Sequence, residues 1–219
     1  MTYGWLAGEL VLRVSGKSLG TILREEITSK RDIDFHIGLD KSEHHRCAEM
    51  IPMPRKKRDP NEKIEITDAQ KATALGPNTL KHQNTAPWKE AEMPAANGQG
   101  SAQGLAKFYS LVVPKDKNLQ ILNDETISNM TKTQIENRDL LLSVVTRWAA
   151  GFIMNKHKVI YGPVSESFGH SGWGGSCAFA DPVNNVGVSY VMNQMEDNVA
   201  GDMRSVQLIN KFYECLKED

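Results

Sequence analysis

Gly169-His170-Ser171-Gly172-Trp173-Gly174-Gly175-Ser176 is the densest concentration of glycines and hydroxyls in a chain of 219 residues, and it decides how the rest is read. Glycine has no Cβ, so backbone N–H groups in such a stretch approach a bound ligand closely and can donate to a developing oxyanion. His170 adds a titratable ring beside the Ser171 hydroxyl. The same residues equally suit a glycine-rich turn leading into an edge strand, with Trp173 packing against its surroundings. A nucleophile elbow of the Gly-x-Ser-x-Gly kind is not formed, because Trp173 stands where the last glycine belongs. Ser171 and His170 also make a poor nucleophile and base, since neighbours on a strand point to opposite faces.

Around this stretch the pattern is antiparallel. Apolar runs occupy 140–154, 159–161, 177–180 and 186–192, with Asp181-Pro182-Val183-Asn184-Asn185 between the last two as a hairpin connection. Met203, Val206, Ile209, Phe212, Tyr213 and Leu216 then predict a C-terminal amphipathic helix. Upstream, Trp5, Leu6, Leu10, Val11 and Val14 recur at helical spacing and stop at Gly16-Lys17, which predicts an opening helix with one buried face. Ser18 reads as the N-cap of a second helix to about Thr28, and Phe35, Ile37 and Leu39 alternate as in a short strand. Residues 42–100, with prolines scattered among charges and amides, read as an irregular, partly helical insertion within one domain spanning 1–219. Ser101 caps a helix over 102–113 carrying Leu105, Phe108, Tyr109 and Val112 on one stripe, and Asp124 caps a shorter one. Helices, insertion, helices, strands and a final helix make an α+β chain, without the βαβ alternation of a doubly wound sheet. Met1 falls directly inside an apolar helical pattern, so further sequence is expected to precede it in a complete fold.

Composition narrows the partners. Net charge is −1 and the pI about 6.6, so no global field draws in nucleic acid or an anionic membrane. Cys47, Cys177 and Cys215 are widely spaced and odd in number, which reads as a reducing compartment and a cytoplasmic protein. No apolar run reaches the length of a membrane span, and the N-terminus lacks the form of a signal peptide.

The glycine stretch, followed by Ala178-Phe179-Ala180-Asp181-Pro182 and Tyr190-Val191-Met192-Asn193, resembles the third conserved motif of the serine β-lactamase-like hydrolases, with the hairpin after it. This family takes in class C β-lactamases and penicillin-binding-protein-like esterases. Tyr3-Gly4-Trp5-Leu6-Ala7-Gly8-Glu9-Leu10 is similar to the helix after the family's second motif. Ala96-Asn97-Gly98-Gln99-Gly100-Ser101-Ala102, with Leu105-Ala106-Lys107-Phe108-Tyr109, resembles a later helix, and the three matches are colinear. The resemblance implies a β-lactamase/transpeptidase-like fold, an antiparallel sheet packed with helices, from which the N-terminal strands and nucleophile helix are missing. It implies acylation of a Ser-x-x-Lys serine by a small ester or amide, a tyrosine relaying protons, and no cofactor.

On that analogy His170, Ser171 and Gly172 stand in the third motif. Ser171 would hydrogen-bond substrate, His170 would supply polarity where relatives carry lysine, and the Trp173 N–H would be one oxyanion donor. Histidine is neutral over part of the range near pH 7, so this departure favours an esterase-like relative. A larger departure lies in front: no serine of the chain is followed three residues later by lysine, and no Tyr-x-Asn occurs. Covalent catalysis needs a nucleophile with an activating base. The expectation is therefore an N-terminally truncated, catalytically incomplete relative that self-associates or depends on a partner; the alternative is a non-catalytic binding or scaffold protein using the remaining cleft. Other features read as structural: Arg55-Lys56-Lys57-Arg58 as a solvated loop, His44-His45 as part of a surface helix, and Trp88 as an anchor packing the insertion down.

Overall fold

A computed structural model describes residues 2–53, 67–74, 82–196 and 201–217. The basic run Arg55 to Arg58 lies outside them. Phe35–His36 (β1) and Gln99–Gly100 (β2) make a small two-stranded ladder. Six further strands form one antiparallel meander in chain order: β3 (Ile135–Arg138), β4 (Val145–Trp148), β5 (Ile153–Met154), β6 (Phe168–Ser171), β7 (Cys177–Asp181) and β8 (Val186–Tyr190). The helices are α1 (Thr2–Ser15), α2 (Leu19–Ile22), α3 (Asp68–Ala74), α4 (Ala86–Glu90), α5 (Ala102–Ser110), α6 (Asp124–Thr131) and α7 (Met203–Leu216).

Register sets the two faces of the sheet. Gly169 pairs with Phe179 and Ser171 with Cys177, while Phe168 pairs with Ala180 and His170 with Ala178. One face is turned toward α7, where Ile153, Tyr161, Cys177, Phe179, Ile209 and Tyr213 make a core. The opposite face is turned toward α5 and α6, where Val112, Val113, Phe168 and Ala180 make another with Tyr109, Ile127 and Met130 against it. Burial of both faces explains why β7 reads as a continuous apolar run, and all five of its residues are buried. Its last residue, Asp181, accepts from the Val183 and Asn184 N–H groups and so builds the hairpin turn. Tyr213 donates to the other carboxylate oxygen at 2.6 Å and ties α7 to that turn.

Several sequence expectations change in detail. Ser18 does cap α2, but the helix passes into a π-helical turn at Leu23–Thr28. The cap of α6 is Asn123, one residue before Asp124. The strand expected through Leu39 pairs only at Phe35 and His36. The 140–154 run divides into β4 and β5 around a turn, and the 159–161 run is not a strand.

The largest change concerns α1. Gly4 is its buried residue, and a Cβ there would lie 2.4 Å from the Ala95 backbone nitrogen, while Gly8 faces Pro94. The helix therefore docks by its small residues, and Tyr3, Leu6, Leu10 and Val14 are 63–81% exposed. Periodicity predicts the apolar stripe inward, because burying apolar area is the usual driving force. Here close backbone approach at Gly4 fixes the opposite face inward. Trp88, by contrast, is buried as expected, and its carbonyl accepts from Asn97 Nδ2.

Candidate active site

The end of β6 is the place where the sheet opens. Pairing between β5 and β6 stops at Gly169, so the β5 side of the strand beyond it carries no partner strand among the described residues. Alternation then separates the neighbouring side chains: His170 is exposed and Ser171 buried. His170 Nδ1 lies 2.7 Å from the Ser171 carbonyl oxygen. A carbonyl only accepts, so Nδ1 donates in this bond. The Trp148 indole lies beside this ring, with centroids 5.6 Å apart.

Ser171 turns into the α7 core. Its hydroxyl is 3.1 Å from the Tyr161 hydroxyl, in a buried pair. Burial pushes the Tyr161 phenol well above its ordinary range, and Tyr161 stacks on Phe179 at 5.3 Å. Tyr161 thus stays protonated and offers no base to Ser171. The pair organises the floor under the strand, and the exposed chemistry above it belongs to His170, Gly172 and Trp173.

Past Ser171 the chain folds into a glycine loop. The Gly172 N–H donates to the Ser176 carbonyl at 2.7 Å, and Gly174 and Gly175 take φ values of +93° and +115°. Only glycine adopts these angles without strain. A Cβ on Gly175 would also lie 2.2 Å from Asp202 Oδ2. Among the described residues the Trp173 N–H has no protein acceptor, and its side chain is 38% exposed. Asp202 is the N-cap of α7 and is 2% exposed. Arg204 donates to Asp202 Oδ2 from Nε at 2.8 Å, to the Gln194 carbonyl at 3.1 Å and to the Gly174 carbonyl at 3.5 Å. That side-chain bond from Arg204 holds the Asp202 carboxyl below its usual range. The Arg204 guanidinium therefore reaches from the start of α7 to the Gly174 carbonyl of the loop carrying the candidate oxyanion donor.

The sequence pattern brings His170, Ser171, Gly172 and Trp173 together as neighbours, and the structure distributes them between a cleft edge and a core. Trp148, Tyr161, Asp202 and Arg204 do not stand out in the sequence as site residues. Asp202 has a usable signal, an aspartate just before an apolar helical pattern. Trp148 is hidden inside an apolar run, and its proximity to His170 comes from the β4–β5–β6 meander.

The model of the Beta-lactamase family matches residues 1–210. The chain belongs to the beta-lactamase family. The Esterase/beta-lactamase LipL of Mycobacterium tuberculosis is 29% identical over 213 residues, covering 89% of this chain and 47% of LipL. A penicillin-binding protein homologue from Caulobacter crescentus superposes with a TM-score of 0.83 at 38% identity, over 97% of this chain and 57% of that one. A family VIII carboxylesterase gives 0.84 at 40% identity, over 96% and 56%. This beta-lactamase family chain has the β-lactamase/transpeptidase fold, and it spans about half the length of its relatives. Among the described residues, no helix is long and apolar enough to cross a membrane.

Proposed function

We propose that this chain forms one wall of the active site of a serine hydrolase acting on small ester or amide substrates, esterase-like rather than a true β-lactamase. The open edge of β6 carries the reading: an exposed His170 and a Trp173 N–H without an acceptor among the described residues stand at the mouth of a glycine loop that Arg204 reaches at the Gly174 carbonyl. The Trp173 N–H donates to the oxyanion, His170 contacts the substrate beside it, and Ser171 positions the strand from below. The acylating serine and its lysine are not among these 219 residues, so catalysis depends on an element that brings them. The exposed stripe of α1 is the surface such an element, or a second copy, covers. Three free thiols, Cys47, Cys177 and Cys215, fit a reducing compartment such as the cytoplasm.

Co-expression with the portion of the Caulobacter crescentus relative that this chain does not cover tests the reading. Hydrolysis of a 4-nitrophenyl ester should appear in the complex and fall at least tenfold with His170→Ala. A soluble complex inactive toward esters and a chromogenic cephalosporin would overturn it. The second reading, binding without turnover, draws on the missing Ser-x-x-Lys; it requires an ester to raise the melting temperature while the complex stays inactive.

A further inference from the structure

The β3–β4 hairpin and α3 border an open, largely apolar cavity of about 350 Å³, whose lining includes Ala69, Ile135, Arg138, Leu140, Thr146 and Trp148. Trp148 pairs with Ile135, and Thr146 with Asn137, so alternation turns these side chains to one face of the hairpin. The segment entering α3 is fastened to the hairpin turn: Thr67 Oγ1 donates to the Leu140 carbonyl and Gln70 Nε2 to the Leu141 carbonyl, each at 3.0 Å. Ala69 then faces the hairpin with a single methyl group, and the cavity is the space left over.

Most polar groups of this wall are engaged. Asp139 accepts from the Leu141 and Leu142 N–H groups at 2.8 Å and from Trp148 Nε1 at 3.3 Å. Thr146 differs. It is 8% exposed, and its Oγ1 has no hydrogen-bond partner among the described residues. A buried hydroxyl without a partner is unfavourable, and rotation about χ1 lets it meet an oxygen that enters the cavity. Trp148 forms the partition between this cavity and the active-site edge, since its indole also lies 5.6 Å from the His170 ring. A molecule with its ester group at His170 can therefore extend past the indole toward Thr146.

We infer that this cavity holds the aryl or short alkyl group of the ester, with Thr146 Oγ1 donating to an ether or carbonyl oxygen carried on that group. The inference rests on the active-site reading of the β6 edge. Its volume is at the lower end for small-molecule sites, which run from about 300 to 1,000 Å³, so it admits a single ring or a short chain.

Titration of the 15N-labelled chain with 4-methoxyphenyl acetate, and with the 4-methyl analogue lacking the ether oxygen, tests this. Saturable shifts are expected at the Thr146 amide, the Trp148 indole N–H and the Trp173 amide, with the methoxy compound binding about fivefold more tightly. Thr146→Val should remove that preference without loss of folding, since it deletes an unpartnered hydroxyl, and Ala69→Leu should block binding by filling the space. Shifts confined to Trp173 would overturn the cavity assignment and leave the active-site reading intact. Shifts confined to Thr146 and Trp148 would separate the cavity from the site and overturn the inference as stated. No shift at either place would overturn it as well, while the active-site reading would still be decided by the complementation assay.

Discussion

Two helices of equal length, α1 and α7, sit at opposite ends of the sequence and treat their apolar residues in opposite ways. The final helix buries Ser205, Ile209 and Tyr213 against the sheet. The first buries Gly4 and holds Tyr3, Leu6, Leu10 and Val14 in solvent. Both show helical periodicity, so periodicity alone does not say which face is covered. The partner surface says that: α7 lies over Phe179 and Cys177, whereas α1 meets Ala95 and Pro94, where only small residues fit.

Truncation at the two helices should break this comparison open. Ile209→Ala is expected to lower stability by about 2–5 kcal/mol, as for other buried aliphatic truncations, read as the shift in a urea midpoint. Leu10→Ala, the matching change on α1, should stay within about 0.5 kcal/mol, as exposed substitutions do. A large loss at Leu10 would show that the stripe is covered in solution. Gly4→Val sharpens the same point from the inner face. With no room beside Ala95, it should cost about 1–3 kcal/mol by overpacking, and a neutral result would mean that α1 does not dock by its glycines.

A smaller effect is expected where α7 meets the hairpin. Tyr213→Phe removes the donor to Asp181, a fully buried carboxylate that retains its turn N–H groups. The expected loss is about 1–2 kcal/mol, checked by the same urea midpoint. A pH-dependent effect, fully present at neutral pH and lost in acid, comes from Asp202. Arg204 lowers its folded pKa below the ordinary aspartate value, so its contribution is complete above that value and fades as pH falls through the folded one. Asp202→Asn should therefore flatten the acid side of the stability profile, below about pH 4, and an unchanged slope there would remove Asp202 from the account.

Much of this is legible in the sequence because it rests on local chemistry. The Asp181 to Asn185 turn, the Ser18 and Ser101 caps and the Met203 to Leu216 helix each follow from residue type at a fixed offset. The β6 glycine loop is legible for the same reason, since Gly174 and Gly175 occupy angles that other residues avoid. What escapes depends on contacts distant in sequence. The inward turn of Ser171 toward Tyr161, the Trp148 partition and the Arg204 link to Gly174 are set by how the meander folds back and where α7 begins. The orientation of α1 escapes because glycine contact with Ala95 leaves no mark in a hydropathy pattern.

Treating the purified chain with a fluorophosphonate probe and measuring its intact mass most directly tests the central claim, that the β6 edge is a wall of a hydrolase site whose nucleophile lies elsewhere. Ser171 is buried beside a protonated Tyr161, its one hydroxyl partner among the described residues, so the mass should remain unmodified. A stoichiometric adduct on any serine of this chain would contradict the account.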